Sequence, residues 1–336
     1  MPGTERCHFS ALKNNYLPGK SLLRKSVLIT IFSLFFILDP ILHAESASGI
    51  RLTNVKHLFN ISHDFNQPSD VSVSNKGFIY VLDGVNNKVK VFDQEGNHKF
   101  SFGRKGSSKG SFSFPLGIDI DDSGKVYVAD SGNHRVQIFG PEGNFISQVN
   151  VPAKNNNPSD PTDVVANQTV NRLYVIDNNN HCFLIFDLST FQLLGTYGSP
   201  GMERTEFRYP FLAAIDSDNH LYITDVVNTR VQEFTEDGKF VNIIGGWGVE
   251  KGEFFRPKGI AIDSQNRIYV SDSYMGVIQV FKNNGELYSA IGYPEKGKVR
   301  KFIKPMGIFV DSKNRLYVVE MFAERVSVYS IEENEK

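Results

Sequence analysis

The sequence predicts an all-β fold, a six-bladed β-propeller with four-stranded antiparallel blades in a ring closed by an N-terminal strand. A segment of 46–49 residues recurs in phase, each copy beginning at one of Pro68, Pro115, Pro161, Pro210, Pro257 and Pro305. Within each copy the apolar residues alternate with a period of two, which is typical of strands and excludes a run of helices. Four short strands in each such repeat indicate one propeller blade per copy.

Each repeat contains strand-like segments separated by turn residues. In the second copy the first three segments read GIDID, KVYVAD and VQIF. Turn residues such as Gly124 and the pair Glu142-Gly143 separate them, because tight hairpin turns need residues that tolerate positive φ. The alternation gives each sheet two faces that can pack against the neighbouring blades.

The two ends of the repeat array predict how the ring closes. The sixth repeat supplies three strands and stops at Tyr329, while one spare strand-like segment, Val55–Ile61, precedes the first proline. We expect this segment to complete the sixth blade, because closure removes the exposed sheet edge. The propeller is then a single domain over residues 51–330, followed by a short charged tail at 331–336.

Residues 1–44 form a predicted secretory leader. Arg24 and Lys25 precede the apolar run Val27–Leu38, and cleavage is expected near Ala44–Glu45. The run is shorter than the roughly 20 apolar residues that span a bilayer. We therefore expect an exported protein, periplasmic or extracellular. An uncleaved leader that anchors the protein to a membrane is the alternative.

Charge and cysteine content narrow the classes of partner. The leader carries five Lys/Arg and two Asp/Glu, so 31 basic and 35 acidic residues remain in the mature chain. Such a chain has no overall attraction to a polyanion, and nucleic-acid binding would need a local patch. Cys7 lies in the leader, which leaves Cys182 as a single thiol without a disulfide partner. We interpret Cys182 as a half-buried small residue, since nothing nearby in the sequence argues for a lowered thiol pKa.

The repeats share a longer motif, Pro-x-Gly followed by Tyr-Val-x-Asp-x-x-Asn-x-Arg-Val-x-x-Phe. It is complete at Pro115, Gly117, Tyr127, Val128, Asp130, Asn133, Arg135, Val136 and Phe139, and part of it recurs at Asp225, Asn228, Arg230, Val231 and Phe234. The motif resembles the NHL repeat family, whose members form six-bladed propellers, and the resemblance covers residues 51–330. Similar domains bind RNA, sense ligands outside bacterial kinases or catalyse lyase chemistry in peptide-amidating enzymes, and many exported bacterial members have no assigned activity. The resemblance therefore implies the fold and leaves the function open.

An acidic residue ends the second strand of every repeat, and a basic residue follows about five positions later in most copies. The acids are Asp83, Asp130, Asp177, Asp225 and Asp272, with Glu320 in the sixth copy, and the basic residues are Lys88, Arg135, Arg230 and Arg325. A group present in every blade should do the same local job in each, so we interpret these residues as structural. We expect them to hold the loop between the second and third strands. Symmetric residues are poor catalytic candidates, because an active site needs different groups in different roles.

The loops that join one blade to the next are rich in basic residues. Topology places them on the same face as the loops that follow the second strands, so one face should be locally basic and should bind a protein or a small anionic ligand. The candidate binding residues are Arg104, Lys105, Arg208, Trp247, Arg256, Lys258, Lys298, Arg300, Tyr274 and Met275. The alternative is a solvated basic rim with Trp247 packed against a neighbouring blade.

A catalytic site has less support in the sequence. The amidating lyases that resemble this chain carry zinc-binding histidines after the first-strand proline, and here those positions are Ser69, Leu116, Thr162, Phe211, Lys258 and Met306. His134 and His181 occupy equivalent loops of adjacent blades, but two histidines without a third ligand make a weak zinc site. We therefore predict no catalytic residue, no metal site and no cofactor, with a metal bound in the channel or by a loop as the alternative.

These observations favour a non-catalytic, exported, monomeric propeller that binds a ligand or protein through its loop-rich basic face. A metal-dependent lyase or lactonase with its metal in the axial channel is the first alternative. Nucleic-acid binding by the basic face is the second, and export argues against it.

Overall fold

The computed structural model describes residues 51–295 and 298–332, and it describes no side chains at 293–300. The predicted leader and the last four residues of the tail lie outside this range. The described chain forms six four-stranded antiparallel sheets, one for each repeat. The predicted fold class, an all-β six-bladed propeller, is confirmed.

The strands follow the repeats in order. The first strand, β1 (Val55–Ile61), belongs to the last blade. Blade one contains β2 (Pro68–Val73), β3 (Ile79–Asp83), β4 (Lys88–Phe92) and β5 (His98–Phe102). Blade two contains β6 (Ile118–Ile120), β7 (Val126–Asp130), β8 (Arg135–Phe139) and β9 (Phe145–Asn150). Blade three contains β10 (Pro161–Asn167), β11 (Arg172–Asp177), β12 (Cys182–Asp187) and β13 (Leu193–Tyr197).

The second half of the ring repeats this plan, with two short strand pairs in the loops between blades. The parallel pair β14 (Ser199–Pro200) and β15 (Glu206–Phe207) precedes blade four. Blade four contains β16 (Pro210–Ile215), β17 (Leu221–Asp225), β18 (Arg230–Phe234) and β19 (Phe240–Gly245). Blade five contains β20 (Pro257–Ile262), β21 (Ile268–Asp272), β22 (Val277–Phe281) and β23 (Leu287–Ile291). The antiparallel pair β24 (Tyr293–Glu295) and β25 (Lys298–Arg300) leads to blade six, which contains β26 (Pro305–Val310), β27 (Arg315–Glu320) and β28 (Arg325–Ile331).

Two single-turn 3-10 helices, Ser131–Asn133 and Met321–Ala323, follow the second strands of blades two and six. In the part of the chain that the structure describes, no helix has the length and apolar character needed to cross a membrane.

The spare N-terminal strand forms the outer edge of the sixth sheet. β1 pairs antiparallel with β28, from Val55 opposite Ile331 to Ile61 opposite Val326. The side chain of Phe59 also packs against Gly96 of blade one, where an added Cβ atom would meet the Phe59 ring. The N-terminal strand therefore contacts both sides of the junction between the last blade and the first.

The core consists of apolar side chains packed between adjacent blades. A tyrosine in the second strand of every blade is almost fully buried, at Tyr80, Tyr127, Tyr174, Tyr222, Tyr269 and Tyr317. Buried phenol groups need hydrogen-bond partners. Tyr127 donates to Asp121 at 3.0 Å within its own blade, whereas Tyr80 donates to the carbonyl of Pro141 in the next blade at 2.8 Å. The tyrosines thus fill the spaces between blades and fix their spacing.

The antiparallel order of the strands gives the disc two faces. We call the face made by the loops after the second and fourth strands of each blade the loop face, and the other the opposite face. Every strand-joining loop on the opposite face has the tight turn chemistry of hairpins, as in Asp121–Gly124, where the Asp121 carboxylate accepts backbone N–H groups of Ser123 and Lys125. The loop face carries the longer connections between blades, and binding residues are commonly found on such loops.

Deleting residues 51–62 should expose the edge of β28 and open the ring. We expect the truncated protein to aggregate and to melt at a lower temperature, because an unpaired strand edge is a template for intermolecular pairing. Light scattering after size-exclusion chromatography and thermal denaturation measure both effects, with removal of residues 333–336 as the control truncation. A truncated protein that stays monomeric with unchanged thermal stability contradicts this role of β1.

Candidate functional site

The repeated acid at the end of the second strand anchors the loop face. In every blade its carboxylate accepts a hydrogen bond from the backbone N–H of the residue 17 positions earlier, in the loop that enters the blade. The donor–acceptor pairs are Asn66 and Asp83, Ser113 and Asp130, Asp160 and Asp177, Arg208 and Asp225, Phe255 and Asp272, and Ile303 and Glu320, at 2.6–2.9 Å. The acid therefore holds the loop between blades as well as the loop between the second and third strands.

In blades two and four an arginine extends this anchor. Arg135 Nε lies 2.8 Å from Asp130, and its Nη2 donates to the carbonyls of Ser108 and Ser111 at 2.9 Å each. Both side chains of the pair are buried, at 7% and 0% exposure. A buried pair that also satisfies its remaining donors differs from a surface ion pair, because removing one partner leaves an uncompensated charge. Arg230 repeats this arrangement with Asp225, and Arg325 pairs with Glu320.

The prediction that Lys88 is the basic partner of Asp83 in blade one was wrong. Lys88 is exposed, and the partner of Asp83 is the buried Lys90, whose Nζ lies 2.8 Å from the carboxylate. Lys90 also donates to the carbonyls of His63 and Asp64. Lys90 lies two residues further along its strand than the arginines of other blades. Its compact ammonium group pairs with the acid and donates to loop carbonyls, as the planar guanidinium group does in those blades.

Blade five anchors its loops without a basic residue. The Asp272 carboxylate accepts four backbone N–H groups, those of Phe255, Arg256, Tyr274 and Met275, at 2.6–3.0 Å. The arginine position itself is occupied by Val277, which lies opposite Asp272 in the strand pairing and is half-buried. Met275, one of the predicted binding residues, contributes its backbone to this anchor and is half-buried.

Tyr274 and residues of the loops that enter blades five and six form an aromatic and cationic cluster on the loop face. The rings of Phe255 and Tyr274 stack with centroids 4.1 Å apart and planes inclined by 29°. Lys304 Nζ lies 5.6 Å from the Tyr274 centroid, and the Arg256 guanidinium carbon lies 5.7 Å from the Phe255 centroid. Tyr274 is 55% exposed, and both cations are exposed. We call these four residues the blade-five cluster, and it unites Arg256 and Tyr274 from the predicted set.

Another predicted binding residue, Lys258, lies at the loop-face end of the innermost strand of blade five. Its Nζ is 4.2 Å from the centroid of the Phe211 ring, and the side chain is half-buried. Burial and the neighbouring charge of Arg256 lower the pKa of Lys258 to about 8. An ammonium group in such surroundings loses hydration, which disfavours its charged form.

Two exposed aromatic residues that the sequence analysis missed directly precede first-strand prolines. Phe114 and Tyr209 are 57% and 51% exposed and have φ angles of 50° and 59°, which are rare for bulky side chains. The Tyr209 backbone N–H donates to Nδ1 of His181, and the two rings meet edge to face at 4.7 Å. The acceptor role of Nδ1 fits a neutral imidazole, and burial lowers the pKa of His181. The sequence feature that could have identified both residues is an aromatic side chain directly before a first-strand proline.

The remaining predicted binding residues are spread around the loop face. Arg104 and Lys105 lie in the loop between blades one and two, where Lys105 forms an isolated bridge with Phe112. Trp247 occupies the equivalent place between blades four and five, bridges Phe254 through its backbone and is 76% exposed, so its indole is not packed against a blade. Arg208 is exposed beside Tyr209. The side chains of Lys298 and Arg300 lie outside the described residues.

The structure offers little support for nucleophilic or metal chemistry on this face. Cys182 is 1% exposed, and burial raises the pKa of its thiol to about 12, so it is fully buried rather than half-buried as the sequence suggested. A protonated buried thiol is a poor nucleophile. His134 hydrogen-bonds the carbonyl of Ser159, whereas His181 engages Tyr209. Over the described ranges, no three His, Cys, Asp or Glu side chains converge on a point where they could hold a metal ion.

Family comparisons identify the repeats. The family model for the NHL repeat matches residues 65–92 and 112–139, and a model described as a 6-bladed beta-propeller matches residues 213–275. The predicted resemblance to NHL repeats is confirmed. No curated protein matches the sequence.

Solved structures with a similar fold include two lyases. A streptogramin B lyase is 14% identical with a TM-score of 0.60, and the alignment covers 83% of this chain and 98% of that chain. An inactive virginiamycin B lyase variant from Staphylococcus aureus with quinupristin is 17% identical with a TM-score of 0.58, covering 83% and 89%. A protein of unknown function from Bacteroides thetaiotaomicron is 17% identical with a TM-score of 0.61, covering 84% and 73%. At these identities the likeness shows the fold alone.

Replacing Asp130 by alanine should destabilise the protein strongly. The change leaves Arg135 buried without its carboxylate, and breaking such a pair costs about 3–5 kcal/mol. Urea unfolding measures the free energy, with Asp122→Ala as the control, because Asp122 is exposed and surface changes usually stay within about 0.5 kcal/mol. Equal effects of the two substitutions would remove the anchoring role of the repeated acid.

Lys258→Met should stabilise the protein at pH 7 and much less at pH 10. A lysine whose folded pKa is lowered to about 8 is charged in both states at pH 7, and wild-type stability rises as pH increases from about 8 towards the unfolded value of about 10.4. We expect a gain of roughly 1–2 kcal/mol at pH 7, after the lost contact with Phe211 is subtracted. Urea unfolding at both pH values measures it.

The matched control is Lys76→Met, an exposed lysine on the opposite face, which should change stability by less than about 0.5 kcal/mol. A loss of stability at pH 7, or a gain that is the same at both pH values, would show that the desolvated charge of Lys258 does not act as described.

Proposed function

We propose that this protein is a non-catalytic, exported binding propeller whose loop face docks an acidic segment of a partner protein. The observation that carries the proposal is the uneven distribution of exposed apolar side chains. Among the described residues, every exposed large apolar side chain in a loop that joins two strands lies on the loop face. They are Val85, Phe114, Met202, Tyr209, Val227, Trp247, Val249, Tyr274, Ile303 and Phe322.

Such a distribution is characteristic of an interaction surface. Soluble monomers rarely concentrate exposed apolar area on one face without a partner for it, and aromatic residues are enriched in protein interfaces. The opposite face supplies the comparison, because its described loops are built from the same repeat and expose no large apolar side chain. This difference in exposed apolar side chains therefore supports the loop face as the surface that contacts a partner.

The charges of the loop face favour an acidic partner. Its exposed cations in the described loops are Arg104, Lys105, Lys109, Arg204, Arg208, Lys251, Arg256, Lys301 and Lys304, against the exposed anions Asp64, Glu203, Glu250 and Glu324. On the opposite face the exposed cations Lys76, Lys125, Lys239, Lys282 and Lys313 are balanced by Glu95, Asp122, Glu142, Asp218, Asp237 and Glu286. Complementary charge speeds encounter and sets orientation.

The spread of the surface supports a protein partner over a small anion. Its apolar residues come from loops of several blades, and the blade-five cluster is one local concentration within it. A small ligand would need a concave site that encloses most of its surface. An extended acidic segment with aromatic or aliphatic side chains can use several of these points together.

The proposal is tested by capturing partners from the native envelope and secreted fractions and then measuring binding of the identified protein in purified form. The test variant is Arg256→Gln/Lys304→Gln combined with Tyr274→Ser, which removes two charges and one ring from the blade-five cluster. Lys76→Gln/Lys125→Gln removes the same charge from the opposite face and serves as the control. We expect at least tenfold weaker binding by the test variant, less than twofold change in the control, and weaker binding as salt increases.

The outcome that overturns the proposal is a partner held equally well by wild type and both variants at all salt concentrations. Turnover of a substrate that is abolished by changes in the channel and unaffected by the loop-face variant would favour an enzyme instead.

A further inference from the structure

An axial cavity of about 260 Å³ lies between the innermost strands of all six blades. Its outer rim is formed by Asp122, Gln168 and Thr169, which are exposed on the opposite face. Towards the loop face, Phe211 and Met306 belong to a large apolar cluster against which Leu116 also packs. No residue of the loop-face loops lines the cavity, which has room for several waters or a ligand smaller than most drugs.

One half of the cavity wall carries three carboxyl groups, those of Asp70, Asp119 and Asp163. Each accepts one backbone N–H from the next blade at 2.7–3.0 Å, donated by Ile118, Ala166 and Ala213 respectively. No lysine, arginine or histidine lines the cavity, and within the described residues none of the three forms an ion pair. They differ in this from the anchoring acids such as Asp130, whose charge is compensated by an arginine.

A serine on the same wall has an unused hydroxyl group. Ser72 is 2% exposed and lines the cavity, and its Oγ has no hydrogen-bond partner in the structure. Side chains two residues apart lie on the same side of a strand, so Ser72 shares its side of β2 with Asp70. Buried hydroxyl groups are normally paired, and an unpaired one beside a cavity indicates a missing partner.

The other half of the wall is apolar and mainly aliphatic. Blades four to six contribute Leu212, Ala214, Ile260, Ile262 and Ile308, and no charged residue. A ligand that fits both halves needs a compact cationic end and an apolar body. Ammonium groups provide three N–H donors, which suit carboxylate oxygens in low-dielectric surroundings.

We propose that the axial cavity binds a short alkylammonium cation, with its ammonium group among Asp70, Asp119 and Asp163 and its alkyl chain against the aliphatic half. Ser72 accepts or relays a hydrogen bond beside the ammonium group. This site is independent of the loop face and adds a small-molecule ligand to a protein-binding propeller.

Binding should depend on pH in a defined direction. Burial raises the pKa of Asp70 to about 8 and that of Asp119 to about 6, and burial together with the neighbouring Asp70 raises the pKa of Asp163 well above its ordinary range. The other titratable groups on the wall are Asp121 and Asp122, so every group that faces the cation is acidic. A cation favours the ionised carboxylates, and its binding therefore releases protons and strengthens between pH 6 and pH 9.

Isothermal titration calorimetry with pentylamine tests the site in the wild-type protein, with pentan-1-ol as the uncharged ligand of similar shape. We expect pentylamine to bind at pH 8.5, at least tenfold more weakly at pH 6, and with proton release measured in buffers of different ionisation enthalpy. Pentan-1-ol should bind at least tenfold more weakly than the amine. Equal binding of the two ligands, or no binding of pentylamine at pH 8.5, overturns the proposal without any variant.

Variants then locate the ligand. Asp70→Asn and Asp163→Asn keep an oxygen acceptor for the backbone N–H groups and should each weaken pentylamine binding at least tenfold. Asp218→Asn removes one charge from an exposed position of the opposite face outside the cavity and should change it less than twofold. Equal effects of all three variants would assign the binding to general surface charge. Calcium ions that bind while pentylamine does not would replace the proposed ligand with a metal ion.

Discussion

One hydrogen bond, repeated in every blade, holds the loops of the loop face in place. In each blade the carboxylate that ends the second strand accepts the backbone N–H of the residue 17 positions earlier, which lies in the loop entering that blade. The bond joins the two kinds of loop that make up the face, and it holds them over a buried charge. The same interaction therefore fixes the loop backbone at six points around the face, although the side chains of the loops differ from blade to blade.

The way in which each carboxylate is satisfied decides whether a basic side chain is buried beside it. Where Arg135 or Arg230 neutralises the acid, its side chain is buried and crosses beneath the loop between blades. Where Asp272 is satisfied by backbone N–H groups alone, no side chain is consumed, and Tyr274 projects to stack on Phe255. Tyr274 follows the acid by two positions, and Val227 at the same place in blade four is also exposed, so the irregular repeat keeps the anchor and places an aromatic ring at a position that already lies on the surface.

Around the axis of the ring, the same repeated backbone carries different side chains in the two halves of the disc. Gly117 and Gly307 of the Pro-x-Gly motif leave the space that the carboxyl groups of Asp163 and Asp70 occupy in the following blades, since an added Cβ would collide with them. In blades four to six the strand positions facing the axis are aliphatic, and hydroxyl groups such as that of Thr224 bridge neighbouring strands. One half of the channel is consequently acidic and the other apolar, although all six blades share one backbone plan.

The sequence by itself determined the six blades, the closing segment and the repeated acid, because these depend on local periodicity and on a motif that recurs in phase. It also identified the loops that carry Arg256 and Tyr274. Tertiary structure alone decided that Lys90 replaces Lys88, that Phe255 and Lys304 join Tyr274, and that Asp70, Asp119 and Asp163 share a cavity. Lys90 is offset from the repeated basic position by two residues, whereas Lys304 and the three aspartates come from different blades and meet their partners only when the ring brings those blades together. Contacts at the repeated positions within a blade follow from the motif, whereas contacts between blades depend on the closed geometry of the disc.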